Sequence, residues 1–237
     1  MTWSIIARDE PTGRIGLAVA TKFFAVGALV PHIRTGVGAI ASQAFINPFY
    51  GPAGLALLAG GASAQAAVDA LINDDEGRAN RQIHVMDANG HIAGYTGSAC
   101  IGWHGHVSVA NCSVAGNMLA GATVIAKTLC AYQSNHALPF ARRLLAAMHA
   151  GQAAGGDKRG RQSAALLIHD GEEYPLLDLR VDDHADPLAE LARLEGVARE
   201  RFVHFRRHMP SRAQPSGLID RSGIDDLISQ SIKDGWE

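Results

Sequence analysis

Segments with strand-like and helix-like patterns occur in blocks along this chain rather than in strict alternation. Strand-like runs come first, followed by two helical segments, more strands, two helices, two strands and a long helix. A parallel sheet built from βαβ units would place a helix after each strand. Blocks are instead typical of antiparallel sheets covered by helical layers, so the sequence predicts an α+β fold.

Hydrophobic periodicity and turn residues predict the individual elements. Asp87-Ala88-Asn89-Gly90 lies between two alternating runs, and Asn-Gly is favoured in tight hairpin turns. Ser63 and Asp186 are suitable N-caps for helices. The predicted strands are Thr2–Arg8, Arg14–Ala20, Val37–Ser42, Gln82–Met86, His91–Tyr95, His106–Ala115, Gln162–His169 and Leu176–Val181. The predicted helices are Gly51–Leu58, the segment after Ser63, Leu119–Ala131, Leu138–Ala150, and the segment after Asp186, whose apolar stripe runs to Phe205.

Composition argues against several classes of protein. The formal net charge of -2 offers no basic field, so no nucleic-acid partner is expected. Ile15–Val30 is apolar, but Lys22 interrupts it and it is too short to cross a bilayer, so no membrane partner is expected. The three cysteines contain no Cys-x-x-Cys pair and suggest neither a disulfide framework nor a zinc site. The glycine-rich loops that bind dinucleotides or triphosphates are missing from the sequence, and no cofactor is expected.

We expect a single domain over residues 1–209, followed by a polar linker and C-terminal tail over residues 210–237. Pro210–Pro215 marks the change to a polar composition, and Leu218–Ile232 is expected to form a short helix or a partner-binding tail. The first residues lack a basic region followed by an apolar one. No secretory signal is therefore expected, and a cytoplasmic location is predicted.

A series of short motifs extends from the first strand to the last predicted strand. They are Ser4–Asp9, Lys22–Gly27, Gly36–Ala39, Ser42–Ala44, Asn47–Pro48, Tyr50–Pro52, Gly54–Leu55, Gly116–Leu119, Gly155–Ala165 and Leu179–His184. A chain with these motifs resembles the family called domain of unknown function 1028 (DUF1028), which is grouped with the N-terminal-nucleophile (Ntn) hydrolases. The resemblance implies a four-layer αββα sandwich of the Ntn hydrolase type. Many such sandwiches assemble, so a homo-oligomer is expected.

The same resemblance implies a nucleophile. In Ntn hydrolases the side chain of the first residue of the mature chain attacks a carbonyl, and its own α-amine accepts the proton. Thr2 takes this role if Met1 is removed. An α-amine titrates at about pH 8, so it can act as a base near neutral pH. The predicted function is an amidohydrolase that acts on a small amide or a related C–N bond, with a small molecule as its partner.

Two charged residues are assigned to the catalytic site by the resemblance. Proteasome-type enzymes place a cation near the nucleophile, in the strand after the first hairpin, which indicates Arg34, with Lys22 as the second choice. An arginine stays charged, so it would stabilise charge rather than accept a proton, and a surface ion pair is an equal alternative. In the same enzymes an acid comes from the turn before a later strand, where this chain has Asp157. A simple helix stop is the alternative there.

Five polar residues are candidates for substrate binding. Gln43 and Asn47 lie between a core strand and the first helix, where amides orient a substrate or form an oxyanion site. Turn formation is an equal alternative for Asn47. Gln162 and Ser163 open the strand after the glycine-rich loop. Asn117 stands where the related enzymes carry a hydroxyl, and an amide can donate to an oxyanion.

Two further hypotheses compete with the hydrolase. If Met1 stays in place, the chain is a non-catalytic protein with the Ntn fold that binds a metabolite or assembles with partners. Asp182-Asp183-His184 suggests a metal-dependent hydrolase. Adjacent residues on an extended chain point to opposite faces, so a solvated strand end is favoured and no metal site is expected. Cys100 has no evident histidine partner and is expected to be a core thiol.

Overall fold

The computed structural model describes Thr2–Gly235, and within these residues it contains ten β-strands and seven α-helices. The strands are β1 (Thr2–Arg8), β2 (Ile15–Thr21), β3 (Pro31–Arg34), β4 (Gly38–Ala44), β5 (Arg81–Asp87), β6 (Ile92–Thr96), β7 (Trp103–Val109), β8 (Cys112–Leu119), β9 (Ser163–His169) and β10 (Leu177–Val181). The helices are α1 (Tyr50–Ala59), α2 (Ala64–Asn73), α3 (Ala122–Ser134), α4 (Phe140–Ala153), α5 (Pro187–Glu200), α6 (Phe202–Arg206) and α7 (Ile224–Asp234). The predicted α+β class is confirmed.

The strands form two antiparallel sheets. The larger sheet has the order β10-β9-β2-β1-β8-β7, and the smaller sheet has the order β3-β4-β5-β6. β1 therefore lies in the middle of the larger sheet, between β2 and β8. Gly13 between β1 and β2 has φ 73°, and Gly90 between β5 and β6 has φ 86°. Glycine favours such positive values, so both residues stabilise the turns that set the strand register.

One predicted strand is wrong. The sequence predicts a single strand over His106–Ala115, whereas the structure has the two strands β7 and β8, which pair as a hairpin. The chain reverses near Asn111, which has φ 60°. Asparagine tolerates this left-handed region better than most residues do, so the turn forms without a glycine to mark it in the sequence.

The two sheets face each other across a core whose polarity changes along its length. Ile6 and Leu17 of the larger sheet pack with Met86 of the smaller sheet, and all three are fully buried. Side chains alternate along a strand, so Thr2 and Ser4 lie on the same face of β1 as Ile6. The space between the sheets is thus aliphatic at one end and polar at the end where β1 begins.

Helices cover the outer face of each sheet. α1 and α2 pack against the smaller sheet, where Ile83 and Val68 belong to one buried cluster. α3 and α4 pack against the larger sheet. A Cβ on Gly16 would lie 2.6 Å from Leu144 and 2.8 Å from Phe140, so glycine permits this close approach of α4 to β2. Burial of both outer faces stabilises the sheets through the hydrophobic effect.

The chain divides into two compact units, residues 1–191 and 192–237. The boundary predicted after residue 209 falls inside the second unit. The apolar stripe predicted to run in one helix to Phe205 is divided between α5 and α6, because Arg201 between them adopts φ -151°. None of the described helices is long and apolar enough to cross a membrane.

Candidate functional site

Thr2 lies at the polar end of the core, as the first residue of β1. It pairs with Thr21 on β2 and with Asn117 on β8, and its exposed fraction is 5%. The Thr2 hydroxyl donates to Oγ1 of Thr21 at 3.2 Å, and its carbonyl oxygen accepts from Nδ2 of Asn117 at 3.4 Å. Met1, on which the free amine depends, lies outside the described residues.

A cavity of about 300 Å³ opens beside Thr2. It is lined by Thr2, Phe23, Val26, Leu29, Ala44, Phe45 and Ile46. The residues come from the start of β1, the end of β4, the segment after β4, and the segment that follows β2. Thr2 therefore lines a cavity in which every other lining side chain is apolar.

Asp157 and Ser163 hold the segment that forms one wall of this cavity. Asp157 is buried, and its carboxylate accepts from the backbone N–H of Lys22 at 2.7 Å and from Nη2 of Arg159 at 3.1 Å. Ser163 donates to the carbonyl oxygen of Phe23 at 2.5 Å, and its Oγ accepts from the backbone N–H of Val26 at 3.1 Å. Asp157 and Ser163 thus adjoin the site, but both bind the wall segment rather than Thr2.

A fully buried hydrogen-bond network begins at Gln82 on β5. Its Nε2 lies 2.9 Å from the carbonyl oxygen of Gly116 and 3.1 Å from that of Gly105. Carbonyl oxygens only accept, so this nitrogen must be the NH₂ group and the amide orientation is fixed. Oε1 of Gln82 then accepts from Nε2 of Gln43 at 2.8 Å and from Nδ2 of Asn117 at 3.0 Å.

The orientation of Gln43 determines the protonation of His84. Oε1 of Gln43 accepts from the Ser4 hydroxyl at 2.8 Å, which uses the single hydrogen of that hydroxyl. Ser4 Oγ must therefore accept from Nε2–H of His84 at 2.8 Å, and Nδ1 of His84 lies 2.9 Å from Oγ of Ser113. Nε2 of His84 therefore carries a proton. Burial is the main cause that lowers its pKa to about 3, in agreement with a ring that stays neutral near pH 7.

This network fixes the role of Asn117. Its Nδ2 contacts both Oε1 of Gln82 and the carbonyl oxygen of Thr2, so both amide hydrogens are engaged. The sequence suggests that Asn117 donates to an oxyanion, but in this geometry it holds the backbone of Thr2 instead. Gln43 likewise acts through Gln82 and Ser4 and does not line the cavity beside Thr2.

The structure does not bring Arg34 to Thr2. Arg34 is exposed at the end of β3 and pairs with Gly38, at the opposite end of β4 from Ala44. Six residues of extended chain separate these two positions of β4, a distance of about 20 Å. Lys22 lies nearer, but its Nζ donates to the carbonyl oxygen of Arg161 at 3.2 Å. Within Thr2–Gly235, no lysine or arginine side chain donates to the Thr2 hydroxyl.

Asn47 and Gln162 also have other partners. Asn47 Oδ1 accepts from the backbone N–H of Phe49 at 3.0 Å, and its Nδ2 donates to Asp75 at 3.3 Å, so it forms the turn that precedes α1. The side chain of Gln162 is exposed and donates to Asp183 at 3.1 Å. Its backbone N–H, which donates to the carbonyl oxygen of Thr21 at 3.0 Å, is the part that adjoins the site.

Backbone strain is concentrated around the cavity. Among the described residues, four non-glycine residues have positive φ, and three of them are Ala25 (52°), Ala44 (70°) and Met118 (53°). Ala44 lines the cavity, Ala25 precedes the wall residue Val26, and Met118 follows Asn117. The left-handed conformation costs an L-residue about 1 kcal/mol or more. Such strain is typical of functional sites, and nothing in the sequence marks these residues.

Cys100 lies in surroundings that disfavour a reactive thiol, and Asp183 and His184 bind other groups. The Cys100 thiol is buried, and burial is the main cause that raises its pKa, which disfavours the reactive thiolate. Nδ1 of His184 accepts from the backbone N–H of Asp186 at 3.0 Å, and Asp183 accepts from Gln162. In the described part of the chain, no group of three or more His, Cys, Asp or Glu residues is arranged to hold a metal ion.

The chain has relatives in sequence and in structure. Residues 2–191 match DUF1028, described as a family of unknown function. The chain belongs to this family. It is similar to the crystal structure of a DUF1028 protein from Silicibacter pomeroyi, with 35% sequence identity and a TM-score of 0.86, over 92% of this chain and 96% of that chain. No functionally curated protein matches the chain.

The DUF1028 match includes the whole candidate site. Thr2, the cavity wall, the buried network and Asp157 all lie within residues 2–191. The second unit, residues 192–237, lies beyond the matched segment. The predicted membership of DUF1028 is therefore confirmed, whereas the reaction of the family is not given by its description.

Proposed function

We propose that this DUF1028 protein is an amide hydrolase of the N-terminal-nucleophile type, with Thr2 as the nucleophile once Met1 has been removed. The observation that carries the proposal is the position of Thr2: it begins a central strand, and it lines a cavity whose other lining side chains are apolar. The packing of α1 and α2 on one sheet and of α3 and α4 on the other supports the four-layer αββα sandwich of this enzyme class.

The proposed reaction uses the two functional groups of one residue. The free α-amine of Thr2 takes the hydroxyl proton as Oγ1 bonds to the amide carbon. The C–N bond then breaks, the departing amine receives the proton, and the acyl group stays on Thr2 as an ester. Water, activated by the same amine, hydrolyses the ester and regenerates the hydroxyl.

The surrounding residues position the nucleophile rather than exchange protons with the substrate. Asn117 holds the carbonyl oxygen of Thr2, and Gln82 holds Asn117. Asp157 and Ser163 hold the wall segment at the place where Lys22 follows Thr21. A nucleophile fixed in this way loses little conformational entropy when the substrate binds, which favours the attack geometry.

The test compares Thr2→Ala with Thr2→Ser in a screen of simple amides. Thr2→Ala removes the hydroxyl, so hydrolysis should fall by about a thousandfold or more, whereas Thr2→Ser keeps a nucleophile and should retain measurable turnover. Thermal unfolding of each variant checks that the fold is intact. Equal hydrolysis by wild type and a folded Thr2→Ala protein would remove Thr2 from the mechanism.

A second candidate function is ligand binding without catalysis. It is favoured by the finding that no lysine or arginine side chain donates to the Thr2 hydroxyl within the described residues. In that case Met1 stays attached, and the protein binds ligands in the same cavity but does not cleave them. Calorimetry that detects an unchanged ligand on a chain beginning with Met1 would support this function.

A further inference from the structure

The cavity beside Thr2 has a chemically uniform wall. Of its seven lining residues, Thr2 alone has a polar side chain. Val26 is buried within the wall, while Leu29 and Ile46 are partly exposed. A charged or strongly hydrated group that entered this space would lose water against six apolar side chains and could pair only with Thr2, which is unfavourable. The wall therefore selects for an apolar group.

Three charged side chains beside the wall, those of Asp157, Lys22 and Arg81, bind other groups. The carboxylate of Asp157 accepts from the backbone of Lys22 and from Arg159. Nζ of Lys22 donates to the carbonyl oxygen of Arg161, two residues before β9. Arg81 lies over the ring of Phe45, 5.1 Å from its centroid, and its Nε donates to Asp75 at 2.9 Å. These charged groups thus adjoin the wall, and none of them is among the residues that line the cavity.

The mouth of the cavity carries apolar side chains that are unusually open to solvent. Phe45 is 74% exposed, Phe23 is 55% exposed and Leu29 is 39% exposed. Adjacent exposed apolar side chains are typical of ligand-binding sites, because a ligand covers them when it binds. Arg81 holds Phe45, since its Nη1 donates to the carbonyl oxygen of that residue at 2.6 Å. Ser163 holds the backbone of Phe23 in the same way.

We propose that this cavity binds the apolar acyl group of the substrate, so that the preferred substrates are amides of medium-chain aliphatic or arylacetic acids. The inference rests on the proposed function, because it places the acyl carbon at the Thr2 hydroxyl. The size of the group follows from the cavity. A volume of about 300 Å³ matches roughly ten non-hydrogen atoms at about 30 Å³ each. Octanoyl and phenylacetyl groups have this size, whereas an acetyl group leaves most of the cavity empty.

The first part of the test substitutes none of the apolar residues that line the cavity. Calorimetry on the full-length Thr2→Ala protein measures the binding of acetamide, hexanamide, octanamide, phenylacetamide and glutaramate. We expect affinity to rise at least tenfold from acetamide to octanamide or phenylacetamide, and glutaramate, with its charged end, to bind no better than acetamide. Equal affinity for acetamide and octanamide, or tightest binding of glutaramate, would overturn the inference.

The second part of the test locates the binding. Leu29→Trp fills the cavity from its mouth, and Leu138→Trp is the matched control, because both leucines are 39% exposed and Leu138 does not line this cavity. Octanamide binding should weaken at least tenfold in Leu29→Trp and stay unchanged in Leu138→Trp. An equal effect of both substitutions, or of neither, contradicts the proposed site.

Turnover separates this inference from the proposed function. If wild type cleaves amides without regard to acyl length, the function stands and the acyl site is refuted. If octanamide binds selectively at Leu29 but no amide is cleaved by wild type, the apolar site stands and the hydrolase is refuted.

Discussion

Lowering the pH from 7 to 5 should destabilise this fold through His84. The ring is fully buried between the sheets, and its pKa is lowered from 6.5 to about 3, mainly by burial. Above pH 6.5 the ring is neutral in the folded and the unfolded chain, so it contributes no pH dependence. Between pH 6.5 and 3 the unfolded chain binds a proton that the folded chain excludes, so stability falls as the pH falls.

The magnitude follows from the two pKa values. Each pH unit between them changes the free energy of unfolding by about 1.4 kcal/mol, so the step from pH 7 to pH 5 costs about 2 kcal/mol. His106, whose pKa is also lowered by burial, contributes with the same sign. The pKa of Asp75 is lowered, mainly by its hydrogen bond with Arg81, but its contribution is lost only below about pH 4, where the unfolded carboxyl protonates.

Urea unfolding at pH 7 and pH 5 measures the effect on wild type, His84→Gln and His91→Gln. His84→Gln should lose about 1–3 kcal/mol at pH 7, because its hydrogen bonds with Ser4 and Ser113 are altered. Its further loss on going to pH 5 should be about 2 kcal/mol smaller than that of wild type. His91, whose side chain is 75% exposed, is the control and should behave like wild type. Equal pH-dependent losses in wild type and His84→Gln would refute the reasoning.

Two predictions concern close packing and backbone strain, and thermal or urea unfolding tests both. Gly151→Ala should destabilise by about 1–3 kcal/mol, because its Cβ would lie 2.2 Å from Oγ1 of Thr128. The control Gly196→Ala, with no atom within 4 Å of its Cβ, should gain up to about 1 kcal/mol, and similar behaviour of the two would argue against this packing. Ala44→Gly should stabilise by up to about 1 kcal/mol, because φ 70° is strained for alanine. Ala41→Gly in the same strand should destabilise, and a loss in Ala44→Gly as well would contradict the strain.

Most of the fold could be predicted from the sequence, because local patterns were strong there. Ser63 caps α2 by accepting from the backbone N–H of Ala66 at 3.1 Å, as expected from its position before an apolar helical stripe. The hairpin at Asn89 and Gly90 forms as predicted, with Asp87 accepting from two backbone N–H groups of the turn. The turn at Asn111 was not predictable, because a left-handed asparagine leaves no distinctive pattern.

The candidate site is harder to predict from the sequence than the fold, because it depends on contacts between strands that are distant along the chain. Thr2 and Asp157 come to one region, but Arg34 faces the opposite end of β4, since strand direction and not chain distance determines its place. His84 and Gln82 were missed. Polar residues at every second position of a buried strand are the signal that would have found them.

The intact mass of the protein purified from its own host tests most directly whether Thr2 can act as an N-terminal nucleophile. If Thr2 is the nucleophile, the mature chain begins at Thr2, with a free α-amine beside the cavity. A hydrolytically active protein that keeps Met1 in full would contradict this role, because the proposed base would then be blocked.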